Sequence, residues 1–208
     1  MTSAAQDAAS WLANPRATRE TLEAFGLATK HRLGQNFLVE DNIIRKIIRL
    51  AELTSDDVVL EVGPGLGTLT VAMLDYVRAV CSIEADRELE GVLATTCKEP
   101  HQDSFVLCMG DALKATPQLV GDAYASLGVF ADAQGKEASG TLIGPNKFVS
   151  NLPYQVAATL ILLFFQEFTT LEQAIVMVQA EVADRIAAKP GTKAYGAYTA
   201  KLALYAQV

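Results

Sequence analysis

The chain has 208 residues, half of them apolar, and carries 17 Lys and Arg against 24 Asp and Glu for a formal net charge of -7. That length fits one full-sized domain with ample apolar residues for a buried sheet, while the acidic balance excludes a uniformly basic nucleic-acid footprint. The longest apolar run, 156–165, is ten residues and too short to span a bilayer, and three cysteines without C-x-x-C spacing exclude a disulfide frame or zinc site.

In chain order, two helical patterns come first, at roughly 15–25 and 40–53. Apolar, β-branched runs at 58–62, 79–83, 104–108, 146–150 and 173–178 then alternate with helical patterns. Such a βαβ alternation predicts an α/β fold, a doubly wound, mostly parallel sheet. The stretch 121–145 fits less well: it is rich in Ala, Gly and small polar residues and longer than a strand-to-strand connection needs, so it reads as an inserted loop, most exposed at 135–140. Met1 to Asp7 lacks the basic and apolar regions of a signal peptide, and Cys81, Cys97 and Cys108 read as reduced thiols, which together predict a cytoplasmic protein.

The first predicted strand runs into Glu61-Val62-Gly63-Pro64-Gly65-Leu66-Gly67 and then a helix. Glycines at 63 and 65 let a ligand approach the backbone, and Gly67 allows close packing of the helix. The spacing is one residue tighter than the dinucleotide fingerprint. Glu61 lies inside the buried strand, where a carboxylate needs a partner; a ligand ammonium or ordered water would serve. The second strand ends at Glu84, with Ala85 beside it, nineteen positions after Gly65, which suits an acid that accepts from ribose hydroxyls. Asp86 reads as a helix cap. The third strand leads to Asp111 and Ala112, a carboxylate and a backbone N–H suited to an adenine edge. Each acid alone could be a cap, but three such strand ends in succession point to a nucleoside cofactor along one sheet edge.

The fourth strand ends in Asn151-Leu152-Pro153-Tyr154, followed by a strongly apolar helix. An exocyclic base amine is a poor nucleophile because its lone pair is delocalised into the ring. Acceptors aimed at its protons stabilise the charge that develops as it is alkylated, and the Asn151 side chain and Leu152 carbonyl are such acceptors. Pro153 holds the turn by fixing φ, and Tyr154 offers a ring for an extruded base. The plainer alternative is a strand-to-helix turn with Pro153 at the first helical position.

With these motifs in place, the chain from about Lys30 to Val208 resembles the ribosomal RNA adenine dimethyltransferases, the family that also contains the erythromycin-resistance methyltransferases. His31-Arg32-Leu33-Gly34-Gln35-Asn36-Phe37-Leu38 is similar to the family's N-terminal cofactor motif, and the glycine, acidic and Asn-Leu-Pro-Tyr motifs match in order. Segments 178–185 and 193–196 resemble two further family stretches. The spellings lie nearer the small-subunit, KsgA-type branch. The resemblance implies a Rossmann-like methyltransferase fold dependent on S-adenosylmethionine (SAM). It implies cofactor contacts from Gln35, Asn36, Leu38, Glu61, Gly63, Gly65, Glu84, Ala85, Asp111, Ala112 and Asn151, and catalysis by Asn151, Leu152, Pro153 and Tyr154. The implied reaction is N6 dimethylation of two adjacent adenosines near the 3′ end of small-subunit rRNA, within a partly assembled 30S particle. No metal, no membrane and a monomer are expected, and the domain is expected at 30–208 after a helical extension at 1–29. The family continues with a Pro-rich segment and a small helical domain; the chain stops at Val208, which implies a fragment, or else a naturally shortened protein, with weakened RNA affinity and turnover.

Charge distribution bears on this expectation. Residues 1–50 hold seven Lys and Arg against five Asp and Glu, leaving ten against nineteen for the rest. Lys30, Arg32, Arg45, Lys46 and Arg49 lie near the N-terminal motif, and Arg185, Lys189, Lys193 and Lys201 near the C-terminal end, interleaved with Tyr195, Tyr198 and Tyr205. They read either as a phosphate-contacting rim or as solvated helix faces. Three other functions compete: a large-subunit methyltransferase of the resistance type, an assembly factor with little turnover, and a nicotinamide-dependent oxidoreductase.

Overall fold

The computed structural model describes residues 9–27, 37–129 and 144–208. Five strands, β1 (Val58–Val62), β2 (Ala79–Glu84), β3 (Phe105–Met109), β4 (Lys147–Asn151) and β5 (Gln173–Met177), form one sheet in the order β3-β2-β1-β4-β5. Every pairing is parallel. The predicted strands are therefore present, displaced by one residue at most at each end. Both β1 and β2 are buried along their whole length, as the unbroken apolar runs required. The outer strand β5 is only half-buried.

Helices cover both faces. On one side α2 (Asp41–Ala51), α3 (Thr68–Leu74) and α4 (Glu90–Leu93) pack through Ile44, Leu69 and Val92. The first helix, α1 (Pro15–Ala24), joins the same core through Leu22. On the other side lie α5 (Pro117–Ser126) and α6 (Ala157–Glu167), with α7 (Ala180–Ile186) and α8 (Ala197–Leu202) closing the chain. Local chemistry sets the helix starts. Asn14 accepts from the Ala17 N–H at 2.8 Å ahead of Pro15, and Thr116 accepts from Leu119 at 3.2 Å ahead of Pro117. Tyr124, fully buried on α5, donates to the Val59 carbonyl at 2.7 Å and pins that helix to the sheet. Phe148 and Phe164 pack at a tilt with ring centroids 4.9 Å apart, and Phe164 and Phe168 edge-to-face at 5.2 Å. Each such pair adds about 1 kcal/mol beyond its burial.

Two features locate the site. The strand order reverses between β1 and β4, with β2 on one side and β5 on the other, and ligands in open α/β sheets bind at that switch point beyond the strand ends. There the ladder also opens: β1 pairs with β2 over five residues but with β4 only at Val59–Lys147 and Leu60–Phe148. Above them Ser150 bridges the gap, donating to the Val62 carbonyl at 2.6 Å and accepting from the Val62 N–H at 3.3 Å. Part of the predicted insertion, 121–126, belongs to α5; its segment 130–143, including 135–140, lies outside the described residues. No helix among the described residues is long and apolar enough to cross a membrane.

Candidate cofactor and base-binding site

After β1 the chain turns through Gly63, Gly65 and Gly67, all at positive φ. The Gly63 N–H continues the ladder to the Ile83 carbonyl at 2.9 Å, and the Gly65 N–H donates to Glu84 at 3.3 Å. A side chain at Gly67 would meet Cys97, Thr96 and Leu93 from the crossover after β2.

Glu61 is buried on β1, and its partners come from the protein. The Thr70 and Ser82 hydroxyls both donate to its Oε2, each at 2.7 Å. Burial, helped by the like charge of Glu84, still pushes this carboxyl up to about 7 against the pull of the two hydroxyls. Glu84, also buried, takes the N–H groups of Asp86 (2.9 Å) and Gly65 on its two oxygens. Burial raises its carboxyl above the ordinary value, while the N–H groups of Asp86, Gly65 and Ala85 oppose the shift. Asp86 caps the following turn through Glu88 N–H at 3.0 Å, as predicted. Asp111 is exposed and caps its own short turn, Ala112–Lys114, through the Leu113 N–H at 3.0 Å.

Asn151 is the last residue of β4, in register with Met177. The Leu152 N–H donates to the Met177 carbonyl at 3.1 Å, so the strand's bonding runs two residues further than the sequence pattern suggested. The Leu152 side chain is buried in the core. Helix α6 begins only at Ala157, which places Pro153 in a connecting turn closed by Val156 N–H to the Pro153 carbonyl, not at the first helical position. Tyr154 is 40% exposed at the rim.

These residues line two spaces that share Gly63. A cleft of about 260 Å³ is lined by Gly63, Glu84, Ala85, Asp111 and Ala112 on the sheet side and by Pro153 and Tyr154 opposite. A narrow hollow of about 30 Å³ is lined by Gly63, Leu38, Glu61, Gly65 and Asn151. The expected acidic, glycine and Asn-Leu-Pro-Tyr residues thus converge, while Gln35 and Asn36 lie outside the described residues. Larger hollows of about 580 and 680 Å³ lie around α7, α8 and the β5 edge, and neither contains a residue of these motifs. Sequence reasoning missed Thr70, Ser82 and Ser150. The signal available was a small hydroxyl residue at an inward position of an otherwise apolar element. Among the basic residues, Arg45 pairs with Asp41 at 2.6 Å and Arg185 with Glu181 at 3.4 Å, each one helical turn away, whereas Lys30 and Arg32 lie outside the described residues.

A parallel sheet with a glycine turn and acidic strand ends at its switch point is a Rossmann-like methyltransferase fold. In agreement, the chain superposes on a dimethyladenosine transferase from Plasmodium falciparum (TM-score 0.59, 27% identity, 78% of this chain and 50% of that one). It also superposes on the 23S rRNA methyltransferase ErmE (TM-score 0.54, 29% identity, 72% and 50%). A family model described as ribosomal RNA adenine dimethylase matches residues 26–208, and the chain belongs to that family. Its relatives include ribosomal RNA small subunit methyltransferase A of Streptomyces coelicolor (40% identical over 200 residues, 95% of this chain) and of Natranaerobius thermophilus (42% over 200 residues, 95% of this chain). The chain spans 62% and 64% of those two proteins.

Proposed function

We propose that the chain transfers methyl groups from SAM to the N6 amines of two adjacent adenosines near the 3′ end of small-subunit rRNA, acting in the cytoplasm as a monomer on a partly assembled 30S particle. The methyltransferase domain is assigned to residues 30–208, and the chain before it to an extension that contains α1. The observation that carries the reading is that Asn151, Glu61 and Leu38 line one hollow, that Glu84, Asp111 and Tyr154 line a cleft, and that Gly63 borders both. The names of the small-subunit relatives support the target.

The residues fit a nucleoside with an amino-acid end. Glu84 is placed for ribose hydroxyls, Asp111 and Ala112 for the adenine edge, and the glycine turn for close backbone approach. Glu61, Leu38 and Asn151 suit the far end. When bound, SAM supplies a methyl group already activated on a sulfonium. The chain's task is therefore alignment and charge stabilisation. Asn151 and the Leu152 carbonyl accept from the target amine as it gains positive charge. Pro153 holds that turn in place and Tyr154 stacks on the extruded base. A paired test measures S-adenosylhomocysteine binding and methylation of small subunits: binding together with dimethyladenosine is expected, and binding of a nicotinamide dinucleotide instead would contradict the reading.

Glu61 adds a pH prediction. Below about pH 7 its carboxyl is protonated in the free chain, and a ligand ammonium favours the ionised form. Binding then releases a proton, so affinity rises with pH toward 7 and levels off above it. Between pH 6 and 7.5, calorimetry should show affinity for S-adenosylhomocysteine rising roughly fivefold or more. Glu61→Gln should bind more weakly with a flat profile; an equally flat wild-type profile would separate Glu61 from the ammonium.

A further inference from the structure

The crossover after β2 contains a π turn at Ala94–Lys98, closed by the Glu99 N–H on the Ala94 carbonyl at 2.8 Å. One extra residue in a helical turn redirects the side chains that follow, and such turns recur at functional sites. Here the redirected residues are Thr96 and Cys97, both buried, and they face the underside of the glycine turn. The Thr96 hydroxyl lies 3.0 Å from the Leu66 carbonyl and 3.0 Å from the Val92 carbonyl. A Cβ on Gly67 would stand 2.3 Å from Cys97 Sγ and 3.1 Å from Thr96 Oγ1, so these two side chains occupy the space a side chain at 67 would need. Burial pushes the Cys97 thiol up to about 12, which keeps it a neutral packing group. From the opposite side, Glu84 holds the Gly65 N–H.

We infer that Thr96 and Cys97 are positioning residues for the cofactor turn, fixing the height of Leu66 and Gly67 and through them the approach of the backbone to the ligand. A hydroxyl bonded only to Val92 would be an ordinary helix back-bond. The contact to Leu66, 30 positions away, and the filled space beneath Gly67 are what that alternative leaves unexplained. The inference rests on the proposal that this turn holds SAM.

Calorimetry with S-adenosylhomocysteine tests it on the wild type, Thr96→Val, Thr96→Ser and Cys97→Ala, each first checked for folding by circular dichroism. Thr96→Val keeps the volume and removes the hydroxyl, and Kd should rise about tenfold. Thr96→Ser should return it to within about twofold of wild type. Cys97→Ala, which opens space beneath Gly67, should raise Kd about threefold. A folded Thr96→Val within twofold of wild type, or a Thr96→Ser as weak as Thr96→Val, would overturn the inference. Should Thr96→Val fail to fold, Cys97→Ala decides, and unchanged affinity there overturns it. A wild type that does not bind at all would overturn the cofactor reading itself and the inference with it.

Discussion

Asn151→Ala should lower methyl transfer to small-subunit rRNA by roughly 10²- to 10³-fold, the scale seen when one preorganised group is removed from a charge-stabilising site. The residue stands at the last position of β4, its backbone tied to β5 by the ladder and by the Leu152–Met177 bond. The variant should fold, because the backbone contacts remain. Affinity for S-adenosylhomocysteine should change only a few-fold, since Glu61, Glu84 and the glycine turn are untouched. Single-turnover transfer and calorimetry separate the two effects. If affinity fell as far as the rate, Asn151 would be holding cofactor and not stabilising the amine. A rate within tenfold of wild type would remove it from catalysis and favour an assembly factor with little turnover.

The second large effect concerns stability, at the opposite edge of the sheet. Asp57 is buried before β1 and accepts from the Thr54 N–H (2.7 Å), the Thr54 hydroxyl (3.1 Å) and Asn146 Nδ2 (2.7 Å). Lys147 Nζ lies 3.3 Å away and also donates to the Glu52 carbonyl at 3.0 Å. Asn146 in turn accepts from the Val58 N–H at 2.8 Å, so one cluster ties the starts of β1 and β4 together. Asp57→Ala strands a mostly buried ammonium and should cost about 3 kcal/mol, read as a lower urea midpoint at pH 7. Burial alone would raise the Asp57 carboxyl, but the bonds from Asn146 and Thr54 and the charge of Lys147 outweigh it and leave it below the ordinary value. A depressed carboxyl contributes stability above its unfolded value, near 4, and loses it as pH falls through the folded value. The gap between wild type and variant should therefore narrow below about pH 4. A gap that stays constant down to pH 3 would mean that packing, and not the charge, holds the cluster.

Much of this architecture was legible because it depends on local pattern. Valine and isoleucine runs placed the five strands, and glycine and acid spacing placed Gly63, Glu84 and Asp111 at the same sheet edge. A cap close in sequence to its helix was also legible, as at Asp86. What escaped depends on contacts between distant elements. Nothing around Ser82 or Thr70 indicates that both hydroxyls meet on Glu61, 21 and 9 positions away. Nor does the 94–98 stretch, unremarkable in composition, reveal a π turn beneath the glycines. The start of α6 at Ala157 was not legible for a different reason: Pro153 is as acceptable in a connecting turn as at a helix start.

The measurement that bears most directly on the central claim is transfer of labelled methyl from SAM to unmodified small and large ribosomal subunits in parallel, followed by digestion to nucleosides. N6,N6-dimethyladenosine from the small subunit alone is the predicted result. Label in the large subunit would move the chain to the resistance branch, and label in neither would contradict the proposed activity.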